Sequence, residues 1–475
     1  MNLDENIRNK HVYIPGMTQQ GKSTLLHYLS LQDIHAGSGV AVLDPKGDLV
    51  ENILRHIPQN RVHDTIYLDG ILPIPVDFMS YETPLEKAHL TGDLISTFNQ
   101  VSQNASGDRW QSILQWTVTT LLEAKGCSFL DIYYFLVSDS KREKILGRVR
   151  NDDIQEYWTE QFPRFPKDSA APITTRMAKF ILNPSLKTML GTPDAELNIE
   201  DVMEGGQVLL VNLQTCGKEA GNLLGTLLVS KFQQAAMRRS RKPQSERKKF
   251  YLYADEFQHF QTSAFDDILS EAGGMQFCLT LAHQYTHQLS DEIRHSIFGN
   301  VGTYLLFKLG SEDIPFFRQM TAPQDNVIRV DFSPPCLLIE KIRRIRAATG
   351  YDLATAKDLA ERFRSSNGIY LVDNVWTEKI PPFDSSQLLR LPVGRVLHRR
   401  PDGYASFEDT PGPLSPPPDN YAEIIKKRTV DRYARHTERP MLDLKQHGSG
   451  PNSTTPDEDD EIKPSGPADV PPHGN

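Results

Sequence analysis

Residues 16–24, Gly16-Met17-Thr18-Gln19-Gln20-Gly21-Lys22-Ser23-Thr24, have the spacing GxxxxGK[ST]. Such a run binds nucleotide phosphates when it joins a strand to a helix. The N–H groups of the turn and of the helix N-terminus present positive partial charge to the phosphates. Lys22 then reaches the β- and γ-phosphates, and Ser23 offers its hydroxyl to Mg2+. Gly16, Thr18, Gly21 and Thr24 complete the binding loop. A second constellation lies at Phe250-Tyr251-Leu252-Tyr253-Ala254-Asp255-Glu256, an apolar run ending on two carboxylates. In that setting Asp255 holds the metal through water and Glu256 polarises the attacking water as general base. An acidic pair at a strand end is by itself usually only solvated; the phosphate loop gives it chemical meaning. A third element, Leu279-Thr280-Leu281-Ala282-His283-Gln284, ends on a polar side chain suited to sense the γ-phosphate. The expected catalytic set is Lys22, Glu256 and Gln284, the metal ligands are Ser23 and Asp255, and the ligands are ATP and Mg2+.

These residues need a parallel sheet to bring them together, and the chain reads as one. Residues 11–15, 39–44 and 65–69 are short apolar runs alternating with helical patterns at 22–31 and 48–56, as in a parallel sheet with covering helices. From 85 to 203 the spacing is helical: 85–103, 110–125, 130–136, 154–162 and 174–181. Sheet character returns with the buried strand 207–213, an amphipathic helix at 221–239, and strands at 250–255, 276–282 and 304–309. Residues 337–363 read as helix, and 369–372 with 393–398 as a final strand pair. The expected organisation is therefore 1–84 nucleotide-binding domain, first part; 85–203 all-α insertion; 204–400 second part; and 401–475 a mostly disordered Pro-rich, acidic tail. Within that tail, 420–446 carries Lys426, Lys427, Arg428, Arg432 and Arg435. It reads as a solvated mixed-charge segment, with a docking helix as the alternative.

Composition bounds the function. The net charge of −9 argues against a surface coated for nucleic acid, though DNA inside a ring needs only local basic groups. The mean hydropathy is −0.44, and the longest apolar runs, 129–137 and 301–309, carry Asp131 and Lys308. No run is long enough to cross a bilayer. Residues 1–10 do not read as a signal peptide, so a cytoplasmic location is expected. The cysteines Cys127, Cys216, Cys278 and Cys336 are widely spaced, and the fourteen histidines form no ligand pair. No metal beyond Mg2+ is implied. Arg238, Arg239, Arg241, Lys242, Arg247, Lys248 and Lys249 form a basic cluster that reads as an exposed helix end and loop, with a phosphate contact as the alternative. Trp110, Trp116 and Trp158 read as core residues of the insertion, with docking platforms as the alternative.

Residues 11–24, the block Leu43-Asp44-Pro45-Lys46-Gly47-Asp48-Leu49, and residues 206–213, 253–257 and 281–284 together resemble the TraG/TraD-type coupling ATPases of conjugation and type IV secretion, within the FtsK–HerA group of DNA motors. The resemblance spans about residues 10–308, and the Asp-Pro-Lys-Gly-Asp block is its most specific part. It implies an α/β, RecA-like P-loop fold that hydrolyses ATP at the interfaces of a homo-hexameric ring around DNA. It also implies that the insertion recruits a relaxase or other transfer substrate, that Asp44 sits near the nucleotide, and that a secretion channel or membrane-anchor protein is a partner. The chain departs from the pattern in three places. Few residues precede the phosphate loop where membrane helices are usual. Gln19 and Gln20 stand in that loop. Glu271-Ala272-Gly273-Gly274 replaces the stretch that carries the family's arginine finger. Arg176, Arg318, Arg343 and Arg344 are candidate substitutes. Two other functions fit the same residues: a HerA-like DNA-processing translocase, and an ATP-binding adapter that recruits cargo without pumping.

Overall fold

The computed structural model describes residues 3, 8, 10–101, 108–321, 327–331, 337–349, 353–362, 369–373, 385–401 and 405–434. Its strands are β1 (Val12–Pro15), β2 (Gly39–Asp44), β3 (Thr65–Asp69), β4 (Val208–Asn212), β5 (Phe250–Ala254), β6 (Phe277–His283), β7 (Thr303–Leu306), β8 (Val327–Asp331), β9 (Ile369–Asp373), β10 (Arg395–Arg399) and β11 (Ala405–Asp409). Nine of them form one sheet in the order β11-β10-β7-β1-β6-β5-β2-β4-β3. Strands β1 to β7 run parallel, and β10 and β11 are antiparallel additions at one edge.

The central strands are apolar throughout because both faces are covered. Alternate side chains divide between two cores. Val12, Ile14, Val40, Val42, Tyr251 and Tyr253 pack against the helices Lys22–His35 and Asp48–Arg55. Tyr13, Ala41, Leu43, Leu252, Ala254 and Leu281 face the other way, toward the helix Lys218–Arg238. That long helix is buried along most of its length, because the helical segment between β3 and β4 lies over it.

This segment contains the helices Pro84–Val101, Asp108–Ala124, Asp131–Val137, Asp139–Leu146, Ala171–Ile181, Pro184–Gly191 and Ile199–Gly205, and no strand among its described residues. Its apolar side chains, including Leu90, Leu94, Ile113 and Leu121, join the same core as Leu209 and Val211 of β4. Trp110 and Trp158 are buried there, the Trp158 indole N–H donates to the Thr120 hydroxyl at 2.8 Å, and Trp116 stacks on Tyr157. Trp110 and Trp158 fill the core, and the half-buried Trp116 packs against it.

Three expectations need correction. Residues 369–373 pair with β8, not with 393–398; β10 instead pairs with β7 and β11. The stretch 337–363 is two helices, Leu338–Thr349 and Leu353–Arg362. Residues 405–434 are not tail: they supply β11 and the helix Ala422–Tyr433, the alternative read for 420–446. That helix covers the open side of β3. Ala422, Ile425, Thr429 and Tyr433 are buried, the Tyr67 N–H donates to the Thr429 hydroxyl at 3.2 Å, and Lys426 pairs with Glu51. An uncovered edge strand invites pairing with other chains, and this helix shields it. Residues 435–475, with the acidic run expected to be disordered, lie outside the described residues. Among the described residues no helix is long and apolar enough to cross a membrane.

Ile425 is fully buried under the edge strand. Ile425→Asp is expected to destabilise the protein by about 3 kcal/mol or more, since it buries a charge where no partner stands. A lower thermal midpoint with aggregation of the heated protein checks this.

Candidate nucleotide site

In a parallel sheet all carboxyl ends emerge at one edge, and the pairing aligns them. Pro15 sits beside His283, Leu43 beside Ala254, and Asp44 beside Asn212. The residues that follow these strands therefore meet in one place: Gly16, Asp44, Asp255 and Gln284.

The phosphate loop is pressed into the end of the sheet. The Gly16 N–H donates to the His283 carbonyl at 3.2 Å and the Met17 N–H to the Lys308 carbonyl at 2.9 Å. A Cβ at Gly16 would lie 2.5 Å from that of Phe307, so only glycine fits. The turn uses left-handed backbone at Gln19 (φ 59°) and at Gly21 (φ 106°), the residue before the helix. Lys22 opens that helix and is buried; its ammonium donates to the carbonyls of Gly16 at 2.6 Å and Met17 at 2.9 Å. Burial lowers its pKa, although Glu256 and Asp255 pull the other way. Ser23 and Thr18 are exposed, Thr24 is half-buried, and the Gln20 side chain donates to the Thr18 carbonyl at 3.3 Å. The Gln20 carbonyl accepts the Gly394 N–H at 3.0 Å, so the turn before β10 rests on the phosphate loop.

Opposite the loop stand three buried carboxylates. Asp255 follows β5, and its Oδ2 accepts the Ser23 hydroxyl at 3.1 Å. Burial, then the neighbouring Asp44 and Glu256 charges, push its pKa up to about 6. Glu256 takes a left-handed backbone (φ 46°), which turns its side chain along the sheet edge. Its Oε2 accepts Gln258 at 2.8 Å, and its Oε1 accepts Gln284 at 2.7 Å together with the Lys46 ammonium. Burial alone would raise this carboxyl; the bonds from Gln258, Lys46 and Gln284 outweigh it and hold the pKa at about 2. Asp44 is turned inward, where its carboxylate accepts the N–H groups of Lys46, Leu49 and Val50 at 2.8, 2.8 and 3.2 Å. It organises the loop between β2 and the next helix, and burial raises its pKa despite those bonds.

Lys22, Ser23, Asp44, Asp255, Glu256 and Gln284 thus share one edge. Two side chains on Glu256 carried no signal that assigned them a role: Lys46, which lay in a conspicuous block, and Gln258. Other predicted features lie elsewhere. Arg238, Arg239, Arg241 and Lys242 are paired with Glu82, Glu86, Glu200 and Glu204, and Arg239 is buried. Arg247 and Lys248 donate to the carbonyls of Gly274 and Gly205. Four of the seven cations thus meet acids of the helical segment, while Arg241, Lys242 and Lys248 remain exposed, as expected of a helix end and loop. Arg343 and Arg344 pair with Glu340 of their own helix, Arg176 donates to the Pro172 carbonyl at 2.6 Å, and the Arg318 side chain lies outside the described residues.

A hydroxyl 3.1 Å from a carboxylate whose pKa is raised by burial and then by adjacent charges suits a divalent cation. No group of three or more His, Cys, Asp or Glu that could hold a metal occurs among the described residues. Mg2+ does not need one, because it is held by one or two protein oxygens, water and substrate phosphates.

Compared as a sequence, the chain matches no protein-family model and no curated protein. Compared as a structure, it is similar to the bacterial conjugative coupling protein TrwBdeltaN70 in its unbound monoclinic form, with a TM-score of 0.53 at 14% identity over 86% of this chain and 85% of that one. The chain shares the fold of that protein. The plasmid coupling protein TrwB in complex with ADP and Mg2+ superposes with a TM-score of 0.52 at 14% identity, covering 88% of this chain and 89% of that one. For TrwB in complex with the non-hydrolysable ATP analogue ADPNP the values are 0.53 and 13%, with 88% of each chain covered.

Because burial raises the Asp255 pKa from 3.8 to about 6, the ionised carboxylate weighs against the nucleotide-free fold. The penalty is absent below about pH 4, grows between the two values, and is complete above about pH 6. Asp255→Asn is therefore expected to stabilise the nucleotide-free protein at pH 7 by about 1–3 kcal/mol. The gain should shrink as unfolding is measured at lower pH, and an equal gain at pH 4 and pH 7 would contradict it.

Proposed function

We propose that this chain is an ATP-hydrolysing motor that moves DNA or delivers transfer substrates at a type IV secretion channel. The observation that carries this reading is Glu256, held by Gln258 and Gln284 beside the Asp255–Ser23 pair, on the edge that bears the phosphate loop. A nucleotide kinase or a switch protein does not need a buried glutamate next to its metal carboxylate; a hydrolase does. The likeness to coupling proteins, two of them with bound nucleotide, supports the same reading.

In this proposal the loop amides and Lys22 hold the triphosphate, and Ser23 with Asp255 holds Mg2+, which neutralises charge on the β- and γ-phosphates. Glu256 orients a water against the γ-phosphate and takes its proton. Gln284 donates to Glu256, so a change at the phosphate is passed to β6 and its neighbours. Asp44, beside the nucleotide, braces the loop that carries Lys46. The active form is a homo-hexamer around DNA, the segment 85–203 recruits the relaxase or other cargo, and a membrane partner anchors the ring. Because that segment shares its core with the sheet, cargo binding is better probed by exposed side chains such as Leu182 (81% exposed) than by deletion.

A second reading, an adapter that binds ATP without pumping, draws on Gly273 and Gly274. No cationic side chain stands at those positions, and the nearby Arg247 is bound to the Gly274 carbonyl and to that of Lys242.

A turnover assay separates the two. The motor reading predicts ATP hydrolysis that rises with added DNA. Lys22→Ala should abolish it, and Glu256→Gln should lower kcat by about 10²–10⁴ while nucleotide still binds. Tight nucleotide binding with no turnover, with or without DNA, supports the adapter and contradicts the motor.

A further inference from the structure

The Glu256 carboxylate has three donors, and they are not alike. Gln258 and Gln284 are neutral amides; Lys46 is charged. The Glu256 side chain is 2% exposed and that of Lys46 is 51% exposed, so within this pair the lysine is the mobile member. Its backbone is nonetheless fixed. The Asp44 carboxylate accepts the Lys46 N–H at 2.8 Å, and Gly47 takes φ 84° so closely against the end of β4 that a Cβ there would lie 2.8 Å from the Asn212 amide oxygen. A rigid loop thus delivers a long, half-exposed cation onto the residue that this account makes the base. Lys46 also lies within electrostatic reach of Asp255 and of the phosphate-loop Lys22. A γ-phosphate seated on Lys22 therefore comes within reach of Lys46, and it carries more negative charge than one carboxylate.

We propose that Lys46 is a positioning residue for hydrolysis: it occupies Glu256 Oε1 and withholds that oxygen from water, and the γ-phosphate competes for the ammonium and frees the oxygen in a minority of ATP-bound sites. Gln284 stays on the same oxygen and keeps the carboxylate in place. The freed lone pair accepts a proton from water, the water oxygen bonds to the γ-phosphorus, and the bond from phosphorus to the β–γ bridging oxygen breaks, leaving its electrons on ADP. Glu256 then returns the proton to solvent. Lys46 touches neither water nor phosphorus in that step; it sets when the base is available. This inference rests on Glu256 being the base.

The test uses the purified full chain and ATP turnover without nucleic acid. Lys46→Met keeps the length of the side chain and removes its charge. It is expected to raise kcat about tenfold while KM for ATP changes by less than about twofold, and Lys46→Arg, which keeps the charge, should bring kcat back toward the wild-type rate. A purely structural lysine would give lost binding or lost turnover, not a faster kcat. An unchanged or lower kcat in Lys46→Met, or an arginine variant as fast as the methionine one, overturns the proposal. If the methionine variant is insoluble, Lys46→Gln is read by the same criteria. Glu256→Gln is measured alone and combined with Lys46→Met. A kcat in Glu256→Gln alone within about tenfold of wild type would refute the assignment of the base and leave that failure distinct from failure of the latch.

Discussion

Three carboxylates of one sign, Asp44, Asp255 and Glu256, are buried side by side at the carboxyl edge of a parallel sheet, and the rest of the site answers that concentration of charge. Each is compensated differently. Asp44 is solvated by backbone N–H groups of the following loop and helix. Glu256 is paired with Lys46 and two amides. Among the described residues Asp255 accepts the Ser23 hydroxyl and the Glu256 N–H, and burial with the neighbouring carboxylates raises its pKa. The least compensated carboxylate is the one placed where a divalent cation is wanted.

The fold serves this arrangement through its strand order. β5, which carries Asp255 and Glu256, lies between β2, which carries Asp44 and leads to Lys46, and β6, which leads to Gln284. Neighbours on both sides therefore reach Glu256, while β1 and its phosphate loop lie just beyond β6. Residues remote in sequence close the periphery: the turn at Gly394 rests on the phosphate loop, and the helix Ala422–Tyr433 covers the far edge.

Much of this was legible from residue types. The strands of a doubly covered sheet are unbroken apolar runs, and each ends where a charged or small residue must face the ligand. β2, β5 and β6 are cases in point. The helical character of 85–203 followed from its spacing, although Asp139–Leu146, Pro184–Gly191 and Ile199–Gly205 are too short to show a period. What could not be read was pairing across the sheet. Nothing in the chain places Lys46 against Glu256, because that contact needs β2 beside β5, and neighbours in this sheet are not neighbours in sequence. The same blindness misassigned β9 and β10. The helix Ala422–Tyr433 was legible only as an alternative for 420–446, because its charge masks its period: Ala422, Ile425, Thr429 and Tyr433 are buried, and Lys426 lies across Tyr67. Seven cations before β5 suggested a surface, whereas most meet acids of the all-α segment, which no local pattern reveals.

The central claim is that one Mg2+-triphosphate sits on residues 16–24 facing Asp255 and Glu256. Calorimetric titration of the full chain with a slowly hydrolysed ATP analogue tests it most directly. The account predicts one site per chain, binding that weakens when Mg2+ is chelated, and loss of binding in Lys22→Ala. Absence of binding, or affinity indifferent to both Mg2+ and Lys22, would contradict it.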